Sequence, residues 1–363
     1  MKRAPSLLAV LAEDEATRDD WRPAASWKNL RRRAELLAKL RAFFHENGFL
    51  EVETPILSAD TVVDRHLDPF STGVPREPGR PPRRLWLQTS PEFAMKRLLA
   101  ALDPQCDAIE NGDAGAAGSQ QDEPPARAIY QITRAFRLGE CGPLHNPEFT
   151  MVEWYRAGDD MRTGMELTGR LCEAMLGRGP AELLSYREAF ERHVELNPHT
   201  AHAEALIAAA EEHCVAAPAS LSPDDRDGWL ELLLCERVRP HLGVGRPTIL
   251  YDYPASQSAL ARIRHGDPPV AERFELFVAG IELASGYHEL LDADELRRRN
   301  RRVNAQRRAD GKSALPEQSR LLRAMEAGLP ACTGVALGFD RLVMLAVGAE
   351  RIAQVVAFPL ERA

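Results

Sequence analysis

Two arginines stand at positions where a permanent cation is useful for chemistry. Arg137 precedes a turn rich in glycine and proline, and Arg341 follows a glycine at the start of an apolar helical segment. A guanidinium group matches phosphate and carboxylate oxygens with paired N–H donors, and a helix N-terminus also attracts anions. We therefore predict that both arginines bind an anion. The alternatives are ordinary ion pairs, across a hairpin for Arg137 and with Asp340 or another acid for Arg341.

Two glutamates in the segment GIELASGYHEL (280–290) are candidate metal ligands. Glu282 and Glu289 are seven residues apart, and on a straight strand an odd separation places side chains on opposite faces. They reach the same site only if Ser285 and Gly286 form a bend or bulge. Two carboxylates suit Mg²⁺, which binds phosphate oxygens together with one or two carboxylates.

Two further carboxylates could receive a positively charged amine. In LWLQTSPEFAMKRLL (85–99), Pro91 and Glu92 are predicted to open a helix, with a carboxylate near its positive end. Glu92 is either a helix-start carboxylate or a ligand for a substrate amine. Glu153 and Tyr155 are two residues apart on a predicted strand and so share one face.

Together these groups describe an ATP site that also holds an amine. The sequence contains neither the P-loop pattern nor the glycine-rich loop of protein kinases. We therefore expect a sheet to hold the nucleotide.

The elements that must position these groups alternate between helices and hairpins. A helix is predicted over NLRRRAELLAKLRAFFHENGF (29–49), ending at Asn47-Gly48, and a hairpin is predicted from Tyr130 to Tyr155. Residues from about 159 to 245 are mainly helical in pattern, and strands return at TILYDYP and ERFELFVAGIEL. The pattern indicates an α+β fold around a mostly antiparallel sheet flanked by helices.

Composition indicates a globular protein of the reducing cytoplasm. The chain has 363 residues, 44% of them hydrophobic, and a formal net charge of -8, which argues against nonspecific nucleic-acid binding. Its six cysteines form no CxxC pair. No apolar run approaches the roughly 20 residues that cross a membrane. Residues 1–25 are expected to be an N-terminal extension, and residues 103–127 a flexible insertion or, alternatively, a lid.

Five ordered segments resemble class II aminoacyl-tRNA synthetases of the lysyl branch. GFLEVETPIL resembles motif 1, FRLGECGPLHNPEFTMVEWY resembles motif 2, and GVALGFDRLVML resembles motif 3. SPEFAMKRLL and GIELASGYHEL match lysyl-branch segments in the same order. The resemblance covers residues 26–363 and implies a catalytic domain that forms a homodimer through the motif 1 region.

A lysyl catalytic core of this length is similar to the elongation factor P (R)-β-lysine ligase family. We expect no anticodon-binding domain, because the catalytic helix begins within about 30 residues of the start. The resemblance implies ATP and Mg²⁺, activation of (R)-β-lysine or lysine as an adenylate, and transfer to a lysine of elongation factor P. A truncated lysyl-tRNA synthetase and a non-catalytic amino-acid sensor are the alternatives.

The resemblance also implies individual roles. Arg137 and Arg341 would be the catalytic arginines. ATP would be bound by Arg137, Glu140, His145, Asn146, Phe149, Glu282, Leu283 and Arg341. The amino-acid substrate would be bound by Ser90, Pro91, Glu92, Glu153, Tyr155, Glu289 and Ala336. Glu282 and Glu289 would hold Mg²⁺.

The chain departs from the family pattern at two positions. Motif 2 commonly reads Arg-x-Glu, but Gly139 stands two residues after Arg137 and the glutamate follows at Glu140. Lysyl synthetases usually have glycine where this chain has Ala336. The added methyl group would reshape the pocket floor, which fits a β-amino acid.

Overall fold

The computed structural model describes residues 21–101 and 126–363. Most of the predicted extension (1–25) and of the predicted insertion (103–127) therefore lies outside the described residues. Both remain predictions.

The α-helices of the described residues are α1 (Trp27–Glu46), α2 (Glu92–Ala100), α3 (Met161–Leu176), α4 (Tyr186–His193), α5 (Ala203–Glu212), α6 (Arg226–Leu233), α7 (Ala293–Ala309), α8 (Arg320–Gly328) and α9 (Phe339–Val347). The strands are β1 (Leu50–Glu51), β2 (Leu57–Ser58), β3 (Ser71–Val74), β4 (Arg83–Leu87), β5 (Ala128–Phe136), β6 (Glu148–Ala157), β7 (Glu182–Ser185), β8 (Thr248–Pro254), β9 (Ile263–Arg264), β10 (Val270–Val278), β11 (Ile281–His288) and β12 (Cys332–Gly338).

Contacts between Cα atoms divide the described residues into two compact units. We call residues 21–101, 126–158, 291–332 and 338–363 the hairpin unit, and residues 159–290 and 333–337 the sheet unit.

The hairpin unit is built on the long β5–β6 hairpin. The two strands pair in antiparallel register from Ala128 opposite Arg156 to Phe136 opposite Glu148, and β1 runs parallel beside β5. Phe44 on α1 is fully buried, and its ring stacks on that of Tyr130 with 4.4 Å between centroids. Aromatic packing of this kind holds α1 on the hairpin. The helix ends at Glu46 before Asn47-Gly48, as predicted.

A second, three-stranded sheet (β2, β4, β3) leads the chain to the start of α2. Next to it, the arginine-rich helix α7 fixes a loop. Arg307 is 2% exposed and donates hydrogen bonds to the carbonyls of Asp64 and Leu67 and to the carboxylate of Asp68. Lys312 also contacts the Asp68 carboxylate, at 2.9 Å. These cations therefore hold the loop in place.

In the sheet unit the strands lie in the order β12, β11, β10, β8, β7, with β9 also beside β10. Every pairing in this unit is antiparallel except β7 with β8. Helices α4, α5 and α6 cover β7, β8 and β10 with a core that includes Phe190, Leu230 and Phe277. The mostly antiparallel α+β fold predicted from the sequence is confirmed. In the described residues no helix is long and apolar enough to span a membrane.

Candidate active site

Arg137 and Phe149 lie together at the turn of the hairpin. The Arg137 backbone N–H donates to the Pro147 carbonyl at 2.9 Å, and the guanidinium carbon lies 5.0 Å from the centroid of the Phe149 ring. The arginine Nε also faces the Thr89 carbonyl at 3.4 Å. A cation beside an aromatic face is an arrangement that suits a phosphate next to a flat base.

Glu140 approaches Arg137 despite its displaced position in the sequence. Arg137 Nη1 is 3.6 Å from Glu140 Oε1, and both side chains are about a quarter exposed, at 24% and 28%. Gly139 has φ of +84°, a left-handed conformation that glycine adopts without strain. The turn therefore requires the glycine, and the carboxylate is supplied one residue later.

Arg341 lies in the first turn of α9 and contacts the hairpin turn. Its Nη2 is 2.5 Å from His145 Nε2, and its Nε donates to the Leu144 carbonyl at 3.4 Å. Asp340 instead accepts from Arg33 Nη1 at 2.6 Å and from the Thr150 backbone N–H at 2.9 Å. The alternative of an Arg341–Asp340 salt bridge is therefore wrong.

Asn146 uses its side-chain amide to hold two backbone segments. Its Nδ2 donates to the Glu148 carbonyl at 2.6 Å, and its Oδ1 accepts from the Leu360 N–H at 3.0 Å. Asn146 therefore fixes the turn next to Phe149, and its contact with ATP remains a prediction.

The predicted amine-binding residues converge around Glu153, which is 1% exposed. Ser90 Oγ donates to Glu153 Oε2 at 2.7 Å, and Tyr155 OH donates to Glu153 Oε1 at 2.6 Å. Ser90 Oγ also accepts from the Glu92 N–H at 3.0 Å. Pro91 is the N-cap, so the helix begins one residue later than predicted, at Glu92. We call Ser90, Glu92, Lys96, Glu153 and Tyr155 the amine pocket.

Lys96 places a second charge inside the amine pocket. Its Nζ is 2.5 Å from Glu92 Oε1, its side chain is 2% exposed, and it lies 5.9 Å from the centroid of the Tyr155 ring. The pocket therefore contains two carboxylates and one ammonium group.

The pKa of Glu153 is raised to about 7, first by burial and next by the neighbouring carboxylate of Glu92. Hydrogen bonds from Tyr155 and Ser90 and the charge of Lys96 act in the opposite direction. Glu153 therefore titrates near neutral pH.

In the sheet unit, strand register places two of the remaining predicted residues, Glu282 and Ala336, on one face. Ser285 lies opposite Glu275 on one side and Ala336 on the other, and Glu282 lies opposite Phe277. Directly paired residues share a face, as do alternate residues of one strand. Glu282, Ser285 and Ala336 therefore lie on the same face.

A bulge in β11 makes this arrangement possible, but it lies at a different position from the one predicted from the sequence. The register between β10 and β11 shifts so that Ala284 pairs with Leu276 and Glu282 with Phe277, which leaves Leu283 as the extra residue. The prediction of a bend at Ser285-Gly286 is therefore wrong. Glycine is needed at position 286 for a different reason, because a Cβ there would lie 2.3 Å from the Phe274 ring.

The carboxylates of the sheet unit suit a hard cation, as judged by their donor type. Glu289 is 1% exposed and follows β11, and with the bulge counted it falls on the same face as Glu282. Among residues 21–101 and 126–363 there is no group of three or more His, Cys, Asp or Glu suited to a metal. Two carboxylates alone fit Mg²⁺, which fills its other positions with water and phosphate oxygens.

Known proteins identify the family. The family model for class II tRNA synthetases (D, K and N) matches residues 17–104 and 126–362. The chain belongs to this family. A Salmonella arizonae protein named elongation factor P–(R)-β-lysine ligase is 45% identical over 343 residues, which is 94% of this chain and 98% of the relative. A Proteus mirabilis protein of the same name is 44% identical over 344 residues, 95% of this chain and 98% of the relative.

Two residues of this class II synthetase were not found by sequence reasoning. Lys96 follows Glu92 by four residues on α2, a spacing that places both on one helix face. Glu275 is 6% exposed, accepts from Tyr253 OH at 2.7 Å and pairs with Arg273. A glutamate inside the apolar run ERFELFV was the available signal.

Glu275 is electrostatically linked to Glu282. Burial raises the pKa of Glu275, the Arg273 cation opposes this, and the charge of Glu282 adds to the rise. Glu275 and Glu282 are therefore close enough to interact electrostatically, while Arg273 offsets the charge of Glu275.

Proposed function

We propose that this protein is an ATP-dependent ligase that activates (R)-β-lysine, or lysine, as an aminoacyl adenylate. It then transfers the aminoacyl group to a lysine side chain of elongation factor P. The observation that carries the proposal is 45% identity across 98% of a relative with that name. The geometry supports it, because the Thr89-Ser90 segment contacts both groups of residues: the Thr89 carbonyl faces Arg137 Nε at 3.4 Å, and Ser90 Oγ donates to Glu153 at 2.7 Å.

In this proposal ATP is held by the hairpin turn and the start of α9. Arg137 contacts the α-phosphate and Phe149 stacks on adenine, with Asn146 fixing the turn beside it. Arg341 and His145 face the γ-phosphate end. The support is the 5.0 Å approach of Arg137 to Phe149 and the contact of Arg341 with His145. Glu140, Glu282 and the backbone of Leu283 complete the predicted ATP contacts.

The substrate amine is bound by carboxylates. Glu92 and Glu153 attract an ammonium group, while Ser90 and Tyr155 hold Glu153 in one orientation through hydrogen bonds of 2.7 and 2.6 Å. Pro91 fixes the turn before α2. Glu289 and Ala336 belong to the proposed substrate contacts of the sheet unit, where Ala336 lies opposite Ser285.

Mg²⁺ is the expected metal, with Glu282 and Glu289 as its proposed protein ligands. When bound, it neutralises phosphate charge. The chain's own residues position the reactants and stabilise charge, so that the substrate carboxylate attacks the α-phosphorus and pyrophosphate leaves. Arg137 stabilises charge at the α-phosphate. The acceptor lysine then attacks the activated carbonyl as a neutral amine; the acyl–phosphate bond breaks, AMP leaves, and the nitrogen loses a proton as the amide forms.

We further propose a cytoplasmic homodimer that acts on a protein and not on tRNA. Three apolar residues of the motif 1 region support the dimer, because Leu50, Ile56 and Leu57 are 54%, 39% and 39% exposed. Strand β1 pairs with β5 and with no other described strand, so it leaves a free edge.

Substitution of Arg137 tests the activation step. Arg137→Ala should lower β-lysine-dependent exchange of pyrophosphate into ATP by about 10²- to 10³-fold, as expected for loss of one charge-stabilising donor. Arg134→Ala is the matched control, because Arg134 is 45% exposed on the same hairpin and pairs with Glu148. Exchange that survives in Arg137→Ala would remove Arg137 from the α-phosphate. Wild-type protein without exchange would contradict the proposed function.

A further inference from the structure

The amine pocket contains its own ammonium group. Glu92 and Lys96 are one helical turn apart on α2, and their charged atoms are 2.5 Å from each other. An ammonium group buried to this degree is stable only when it is paired.

The charges of the pocket give a simple count. Glu92 and Glu153 each contribute one negative charge when ionised, and Lys96 contributes one positive charge. These three ionised groups together therefore carry a net charge of about -1, which matches one alkylammonium group. Without Lys96 the same pocket would have about -2.

We propose that Lys96 is the charge-balancing residue of the amine pocket, where it offsets one carboxylate so that the pocket accepts a single ammonium group of the substrate. Lys96 is a positioning residue in this account, because it acts through Glu92 and Glu153. The inference deepens the proposed function and rests on it for the identity of the amine.

The surroundings of Glu153 show how Lys96 acts. The groups that face this carboxylate are the hydroxyls of Ser90 and Tyr155, the carboxylate of Glu92 and the ammonium of Lys96. Glu92 raises the pKa of Glu153 and Lys96 lowers it, so the pKa lies at about 7. Removal of Lys96 leaves Glu92 unopposed, and Glu153 would then keep its proton well above neutral pH.

Proton release on binding measures this effect directly. Calorimetric titration of the full-length protein with (R)-β-lysine, in two buffers of different ionisation enthalpy, counts the protons released. Because Glu153 has a pKa of about 7 and must ionise to pair with the amine, the wild type should release about half a proton at pH 7. At pH 8 the release should fall to about a tenth of a proton.

Lys96→Met keeps an unbranched side chain of similar length and removes the charge. It should release close to one proton at pH 7 and still release most of a proton at pH 8. Its affinity should be lower at pH 7 by about tenfold for each unit by which the pKa of Glu153 rises, and should recover as the pH increases. Arg97→Met is the matched control, because it removes a cation from the neighbouring, exposed position of α2. It should match the wild type.

The double variant Lys96→Met/Glu92→Gln restores the charge count. It should bind (R)-β-lysine more tightly than Lys96→Met at pH 7 and return proton release to about half a proton. A purely structural role for Lys96 predicts weaker binding with unchanged proton release. That result, or lost binding that the double variant does not restore, would overturn the proposal.

The same titration separates this inference from the proposed function. Wild-type protein that binds no (R)-β-lysine contradicts the proposed substrate, whatever Lys96 does. If the wild type binds (R)-β-lysine and Lys96→Met releases the same number of protons as the wild type, only the role of Lys96 is contradicted.

Discussion

At the residue scale, Glu153 combines full burial with a position beside a second carboxylate. Its pKa of about 7 is caused first by burial and next by Glu92. The hydroxyl groups of Ser90 and Tyr155 hold the Glu153 carboxylate in one orientation, which suits the binding of a positively charged group.

The raised pKa predicts how stability changes with pH. The native protein keeps the Glu153 proton up to about pH 7, whereas the unfolded chain releases it near 4.5. The native state thus binds more protons, and the free energy of unfolding falls as pH rises through this window. Glu153→Gln cannot lose this proton. Its free energy of unfolding, relative to that of the wild type, should therefore increase by about 2 to 3 kcal/mol from pH 5 to pH 8.

Urea titrations of both proteins at pH 5 and pH 8 measure this difference. Glu35→Gln is the control, because Glu35 is 63% exposed and its removal should leave the pH dependence unchanged. A difference between Glu153→Gln and the wild type that stays constant with pH would show that Glu153 ionises in the native protein near its ordinary pKa.

Residue types allowed part of the site to be predicted. Two of the signals were local: an arginine beside a turn, and a glutamate followed two residues later by a tyrosine. In the structure Tyr155 donates a hydrogen bond to Glu153. Lys96 and Glu275 were missed because their importance depends on burial, which tertiary packing determines. Nothing in a local pattern distinguishes a buried lysine from a solvated one.

At the element scale, the bulge in β11 decides which side chains share a face. It lies at Leu283, where the pairing with β10 shifts. The sequence correctly indicated that an irregularity was needed between Glu282 and Glu289, and it misplaced it by about two residues. Glycine is a usual marker of bulges, but Gly286 is required by the Phe274 ring, a contact between strands.

Substitution of Gly286 tests this packing. A methyl group at this position would lie 2.3 Å from the fully buried Phe274 ring, so Gly286→Ala should destabilise the protein by about 1 to 3 kcal/mol. Phe274→Leu makes room, and the double variant should be more stable than the sum of the single effects predicts. Additive effects in urea denaturation would show that the two residues do not clash.

The helices and hairpins were easier to predict than the register. α1 begins at a Ser26 cap and ends before Asn47-Gly48, and both signals are local. Pairings such as β1 with β5 or β7 with β8 join segments that are distant in the sequence. The residue pattern of one strand does not indicate which other strand it pairs with.

At the scale of the whole molecule, the proposed dimer is open to direct measurement. Light scattering should give twice the 40.3 kDa mass of one chain. Leu50→Lys places a charge on the free edge of β1, where Leu50 is 54% exposed, and should shift the mass toward the monomer. Val244→Lys is the control, since Val244 is 67% exposed outside the motif 1 region. A monomeric wild type would contradict the dimer.

The family match extends over residues of both units, at 17–104 and 126–362. Arg137, Glu153 and Arg341 belong to the hairpin unit, and Glu282 and Ala336 belong to the sheet unit. The relatives share this full extent, at 94% of this chain.

The most direct test is to measure the intact mass of elongation factor P after reaction with the protein, ATP, Mg²⁺ and (R)-β-lysine. A parallel reaction contains tRNA in place of the factor, and Arg137→Ala serves as the inactive control. We predict that the factor gains the mass of one β-lysyl group and that tRNA remains uncharged. An unmodified factor alongside charged tRNA would contradict this account.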